Sequence, residues 1–93
     1  IKTQANYDPL TQLPNRTLFL DRLTNAINQT KRKNGKLALM LLDLNKFKWI
    51  NDNLGHHAGD ILLQETAKVL QAAVRSSDTV ARLGGDEFSI IVP

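Results

Sequence analysis

A mixed α/β (α+β) fold built on a split βαβ unit is what this sequence predicts, and three observations predict it. Residues 37–42, LALMLL, form a continuous apolar run that stops at Asp43. Residues 58–74 carry apolar side chains at helical spacing, the pattern of an amphipathic helix. Two short strand-like segments, DTVARL at 78–83 and EFSIIV at 87–92, are joined across Gly84-Gly85. Strand, crossover helix and hairpin in that order are the first part of a split βαβ unit.

Each element has a local reason. The stretch YDPLTQLPN at 7–15 sets two prolines and an asparagine between apolar residues, which reads as an ordered loop. Asn15 is a good helix N-cap, and Leu18, Phe19, Leu23, Ala26 and Ile27 follow at helical spacing. Lys31-Arg32-Lys33 and then Gly35 supply the stop signals, with the cations solvating the helix end. The run at 37–43 reads as a strand buried on both faces. A polar, turn-rich stretch follows, with a short helical turn at 47–53. In the next helix Ile61, Leu62, Leu63, Ala67, Val69, Leu70 and Val74 are apolar, and Gly59-Asp60 lies in the first turn.

A right-handed crossover makes residues 37–43 and 79–83 parallel, with room for one strand between them. Residues 87–92 are the natural occupant, antiparallel to both. The hairpin turn then lies at the same sheet edge as the end of the first strand. Asp43 and the Asp86-Glu87 pair would meet there although far apart in sequence. The Gly-Gly tip permits positive φ angles and lets a bulky ligand approach the backbone.

Composition narrows the function classes. Ninety-three residues make one small domain or part of a larger one. With 42% hydrophobic and 23% charged residues, disorder is excluded. A net charge of +3 is too weak a bias to argue for nucleic acid as a partner. The lack of cysteine rules out a disulfide framework, a thiolate nucleophile and a zinc-thiolate site. The longest apolar run falls far short of a membrane span, and the first residues lack the apolar core of a signal peptide. The chain reads as soluble. Because it starts at Ile1 rather than Met, it is expected to be excised from something longer.

Acids gathered at one edge repel unless a cation or a shared proton compensates. Carboxylates with carbonyls and water suit Mg²⁺ or Mn²⁺, and Mg²⁺ completes its shell with substrate phosphates. That is the inventory of a nucleotidyl-transfer site. A plainer alternative is that Asp43 caps a helix while Asp86 and Glu87 solvate a turn. Lys48 could meet phosphates, while Asn51 and Asp60 offer an amide and a carboxylate able to pair with a guanine edge. His56 and His57 read as structural or surface groups, and Phe47 and Trp49 as packing residues.

DPLTQLPNR at 8–16, DLNKFKWINDNLGHHAGD at 43–60 and ARLGGDEF at 81–88 together resemble the GGDEF domain of diguanylate cyclases, in the family's order and spacing. The resemblance implies a ferredoxin-like, polymerase-palm-like mixed sheet with helices. It implies condensation of two GTP into cyclic di-GMP with release of pyrophosphate, one GTP being held by each domain of a transient homodimer. By motif, Asp43 and Asp86 match the metal carboxylates for Mg²⁺ (or Mn²⁺), with the Leu44 carbonyl contributing. Asp86 and Glu87 resemble the family's catalytic acids, which implies that Glu87 assists deprotonation of the 3′-hydroxyl or completes the metal environment. Asn51 and Asp60 match the guanine readers; Lys46, Phe47 and Lys48 match the phosphate-holding segment, and Gly84 and Gly85 the turn beneath it. RSSD at 75–78 matches the inhibitory product site, in which Arg75 and Asp78 grip cyclic di-GMP; a routine helix end followed by a turn is the alternative.

The resemblance further implies unseen sensor or phosphodiesterase domains, no nucleic-acid partner and a cytoplasmic domain, with membrane anchoring of the parent left open. A non-catalytic receptor of GTP or cyclic di-GMP is the second function class, and a scaffold without ligand a third. Asn45 stands where many members carry a second aspartate; it keeps an oxygen but loses a charge, which weakens a strictly two-carboxylate reading of that motif and leaves catalysis through Asp43 and Asp86 untouched. Residues 1–93 read as a partial domain with a lead-in and loop at 1–14, truncated after the third strand. The second crossover helix, a strand beside residues 37–43 and phosphate-binding basic residues belong beyond Pro93 in the family. The isolated chain is therefore expected to be inactive and to expose the edge of its most apolar strand.

Overall fold

Helix α1 (Arg16–Lys33) begins where the sequence places it, because the Asn15 carboxamide oxygen accepts the Leu18 amide at 3.1 Å. It ends at Asn34, which takes the left-handed conformation and donates to the Lys31 carbonyl at 3.2 Å. The computed structural model describes residues 5–93, so residues 1–4 of the lead-in lie outside the described residues. The chain continues through β1 (Ala38–Asp43), α2 (Phe47–Leu54), α3 (His56–Ala73), β2 (Thr79–Gly84) and β3 (Glu87–Val92). The mixed α/β architecture is borne out.

Helix α3 starts at His56, ahead of the expected residue 58. Gly55, at φ 94°, breaks the path from α2, and its carbonyl accepts the Gly59 amide at 3.3 Å. A new helix can therefore begin one residue later.

The sheet order is β1-β3-β2, with β3 antiparallel to both neighbours. β1 and β2 are thus parallel with the hairpin strand between them, as the crossover argument requires. Side chains of the sheet alternate between two cores. Val80, Phe88 and Ile90 pack with Leu13, Leu63 and Ala67 on the α3 side. Ala81 and Ile91 pack with Phe19 of α1 on the other.

The expectation that β1 is buried on both faces is not met. Leu39, Met40 and Leu41 are exposed, Leu41 at 73%. β1 is an edge strand, and α1 lies over β2 rather than over β1. The strand buried on both faces is β3, where Phe88, Ser89, Ile90 and Ile91 are all buried. Ser89 is tolerated there because its hydroxyl donates to the Met40 carbonyl at 2.8 Å, which removes the cost of an unpaired buried polar group. Trp49 also departs from its reading as a packing residue, being 55% exposed, whereas Phe47 packs on the core.

Truncating Phe88, which is 1% exposed, to alanine is expected to cost about 3–5 kcal/mol. Leu41→Ala is expected to change stability by less than about 0.5 kcal/mol. Chemical denaturation midpoints of the two variants check the contrast.

Candidate active site

The hairpin tip is shaped by Gly84 at φ 152° and Gly85 at φ 49°, with a register shift in β2 between Arg82 and Gly84. Neither glycine has a heavy atom within 4 Å of where a Cβ would stand, so it is the backbone conformation that favours glycine. Arg82 ties this tip down. Its Nε and Nη2 donate to the Gly85 carbonyl at 3.0 and 2.9 Å. Its Nη1 reaches both Asp8 carboxylate oxygens at 3.0 and 3.1 Å.

Asp8 in turn organises the proline-bounded loop. Its carboxylate accepts the Thr11 amide at 2.8 Å and the Thr11 hydroxyl at 2.7 Å, while the Arg82 amide donates to the Pro14 carbonyl at 3.1 Å. Burial pushes the Asp8 carboxyl up, but the bonds from Thr11 and Arg82 outweigh it and hold the group below its usual range.

At the opposite side of the tip, Asp43 closes β1 and pairs in register with Glu87. The Leu44 amide donates to the Asp86 carbonyl at 3.2 Å, carrying the ladder one step further. The Asp43 carboxyl is pushed above its usual range, first by a hydrogen bond shared with Asp86, then by the charge of Asp86, by burial and by the charge of Glu87.

Two carboxylates with the neighbouring Leu44 carbonyl form a hard-oxygen donor set that fits Mg²⁺ or Mn²⁺. Among the described residues no group of three or more His, Cys, Asp or Glu forms a self-contained metal cage. A small cation that keeps water and substrate oxygens in its shell needs no such cage. A cavity of about 280 Å³ opens on the same side, with Arg16, Leu41, Asp43, Leu83 and Glu87 in its lining.

The other expected residues occupy separate positions. Lys46 sits at the N-cap of α2 with φ 65°, and Phe47 opens the helix. Lys48 pairs with Asp52 at 3.3 Å, but both side chains are well exposed, so the pair adds little stability and leaves the ammonium available. Asn51 is half-buried in the crevice between α2 and α3, and Asp60 is exposed in the first turn of α3. His56 and His57 are surface groups.

Arg75 and Asp78 lie just before β2, at the end of that strand remote from Gly84. The Asp78 carboxylate accepts the Arg75 amide at 2.9 Å and Nη2 at 3.2 Å, and these two bonds, in that order, lower its pKa. The Asp78 side chain is largely covered, while the Arg75 guanidinium stays exposed.

The structure therefore brings Asp43, Leu44, Asp86 and Glu87 together and leaves Arg75 and Asp78 apart from them. Sequence reasoning missed Arg16, Asp8 and Arg82 as site-building residues. An arginine in the otherwise apolar VARL segment was the one available signal for the last.

A family model described as "Diguanylate cyclase, GGDEF domain" matches residues 5–93. The bifunctional diguanylate cyclase/cyclic di-GMP phosphodiesterase MucR of Pseudomonas aeruginosa is 51% identical over 95% of this chain and 13% of its own length. Among solved structures, a TpbB variant from the same organism comprising only the GGDEF domain superposes with a TM-score of 0.90 at 45% identity, covering 92% of this chain and 50% of that one. The GGDEF domain of DgcB from Caulobacter crescentus in complex with c-di-GMP gives a TM-score of 0.94 at 34% identity, covering 100% of this chain and 54% of that one. The chain thus spans about half the length of the solved domains and a small part of MucR.

Two outcomes follow from the carboxyl chemistry. Asp8 has a depressed folded pKa, so its contribution is present above the ordinary carboxylate range and is lost as pH falls through the folded value. Asp8→Asn is expected to cost about 1.5–3 kcal/mol at pH 7, with the gap to wild type closing in acid, as read from denaturation midpoints across pH. Asp43 has a raised folded pKa, so the folded state loses stability as pH rises through that value. Asp43→Asn is expected to raise Tm at neutral pH without divalent cation and to abolish the Tm gain on adding Mg²⁺, as read by thermal melts with and without the ion.

Proposed function

Since this chain belongs to the GGDEF family of diguanylate cyclases, we propose that the protein carrying it condenses two GTP molecules into cyclic di-GMP with release of pyrophosphate. The observation that carries the proposal is the meeting of Asp43, Asp86 and Glu87 beside a glycine tip open to a ligand.

Each GTP would present its α-phosphate to the 3′-hydroxyl of the other. Asp43, Asp86 and the Leu44 carbonyl would hold a divalent cation, Mg²⁺ or Mn²⁺, which supplies charge neutralisation at the reacting phosphate. Glu87 shares a sheet face with Asp43 through their paired register, and assists removal of the hydroxyl proton. Gly84 and Gly85 leave the phosphates room at the tip, while Lys46 and Phe47 present the start of α2 to them and Lys48 adds a mobile charge. Asn51 and Asp60 read the guanine edge, one supplying an amide and the other a carboxylate for two N–H donors.

One such site per chain holds one GTP, so forming both phosphodiester bonds requires two copies facing each other. The active form is a homodimer. Arg75, exposed and preset by Asp78, offers a guanidinium suited to guanine or phosphate, and the pair is read as the inhibitory site for cyclic di-GMP. The DgcB domain crystallised with c-di-GMP supports product binding by this fold, and the two activities of MucR support further domains in the parent. No helix among the described residues is long and apolar enough to cross a membrane; by its family the domain is read as cytoplasmic. The intact acids favour catalysis over a receptor role, for which metal carboxylates have no use.

In the full-length protein with GTP and Mg²⁺, Asp43→Ala and Asp86→Ala are each expected to lower cyclic di-GMP formation at least about 10²–10³-fold, as followed by chromatography of the products. Turnover at the wild-type rate in both variants would overturn the metal assignment. Calorimetry with cyclic di-GMP is expected to show weaker binding by Arg75→Ala, and equal affinities would dismiss the inhibitory site.

A further inference from the structure

Gly59 lies in the first turn of α3 and is buried. Glycine is the poorest helix former after proline, so its presence inside a helix calls for a reason. Conformation is not that reason, because the glycines with positive φ are Gly55, Gly84 and Gly85. Space is. A Cβ built on Gly59 would overlap Asn51 Oδ1 outright and would stand 2.9 Å from Asn51 Cγ and 3.4 Å from Phe47 Cε1.

The Asn51 carboxamide therefore rests in the hollow that the missing side chain leaves on α3. The corner between the two helices is held independently, since the Gly55 amide donates to the Asn51 carbonyl at 3.1 Å. Among the described residues no protein group is hydrogen-bonded to the Asn51 side chain, which this hollow accommodates. Its amide donors and acceptor are thus left without a protein partner among the described residues, with Oδ1 lodged against α3. Asp60, the next residue, is exposed beside the hollow.

We propose that Gly59 is a specificity-determining positioning residue. By lacking a side chain it seats the Asn51 carboxamide against α3 next to Asp60, so that the two present one fixed donor–acceptor pattern to a purine edge. The inference rests on the reading of Asn51 and Asp60 as guanine readers and adds the residue that sets their geometry.

The test uses the full-length protein with GTP and ATP, comparing Gly59→Ala, Asn51→Ala and the double variant. Gly59→Ala is expected to raise KM for GTP about 10–100-fold, the scale of one lost hydrogen bond to the base. The loss should fall on KM more than on kcat, and the preference for GTP over ATP should narrow. Asn51→Ala is expected to behave alike, and the double variant to be no worse than Asn51→Ala, because no carboxamide remains to be displaced.

If Gly59→Ala alone melts far below wild type, the double variant should recover the Tm, and its failure to do so overturns the steric account. Multiplicative losses in the double variant also overturn the inference. A wild type that prefers GTP beside an equally selective, folded Gly59→Ala overturns the inference alone. A wild type with no preference for GTP overturns the guanine reading together with it.

Discussion

The central placement of β3 is the constraint on which the site depends. Because β3 pairs antiparallel with β1 and β2 at once, its first residue must stand beside the last residue of β1. Asp43 and Glu87 are neighbours for that reason, and Asp86 follows at the turn. Backbone hydrogen bonds, not side-chain attraction, bring the acids together. Without that ladder the carboxylates would separate, since like charges at close range are unfavourable. The buried run of Phe88, Ser89, Ile90 and Ile91 anchors the strand between two apolar cores, and this burial opposes the repulsion at its end.

The tip beyond the ladder needs a restraint of its own. Two glycines at positive φ would leave it mobile, because glycine loses more backbone freedom on ordering than any other residue. The Arg82 fork supplies the restraint by holding the Gly85 carbonyl and the Asp8 carboxylate together. Both partners are largely covered, at 15% and 16% side-chain exposure, so this contact is less weakened by solvent than the ion pairs Lys48–Asp52 and Lys68–Glu65, which are open to water. One cation thus couples the N-terminal loop to the turn that carries the acidic signature. The arrangement is asymmetric: Asp8 is kept ionised by donors around it, while Asp43 is pushed toward its protonated form by acids around it. Carboxylates of the same kind differ because one faces N–H and O–H groups and the other faces oxygen.

How much of this was legible in the sequence follows from how local each cause is. The α1 cap at Asn15, the α2 turn and the strand at 87–92 arise from short-range patterns, and so were readable. The strand order was readable too, because chirality and the Gly-Gly hairpin leave little choice. Burial of β1 does not follow from its apolar run, since LALMLL reports that a strand is apolar but not whether another element covers its faces. The Asp8–Arg82 pair joins residues 74 positions apart, and no periodicity in a single sequence carries that information. The sequence pattern marks Gly59 only as part of a first turn; the need for its missing Cβ appears once α2 folds back on α3.

The elements of the site divide its work by the kind of order they provide. A sheet edge fixes acids through backbone register, with little tolerance for displacement along the strand, which suits the exact spacing a metal ion and a reacting phosphate demand. The α2–α3 corner fixes a side chain through packing in a hollow, leaving its polar atoms unspent, which suits recognition of a base edge by hydrogen bonds. The residues between them, Lys46 to Lys48, leave the C-terminal end of β1 and enter α2, so a nucleotide lying from the corner to the tip would pass the start of that helix with its phosphates. On the proposed function, chemistry and base selection would rest on different structural supports. On the same reading, a change in the hollow at Gly59 would alter which nucleotide is held without disturbing the acids proposed to act on it.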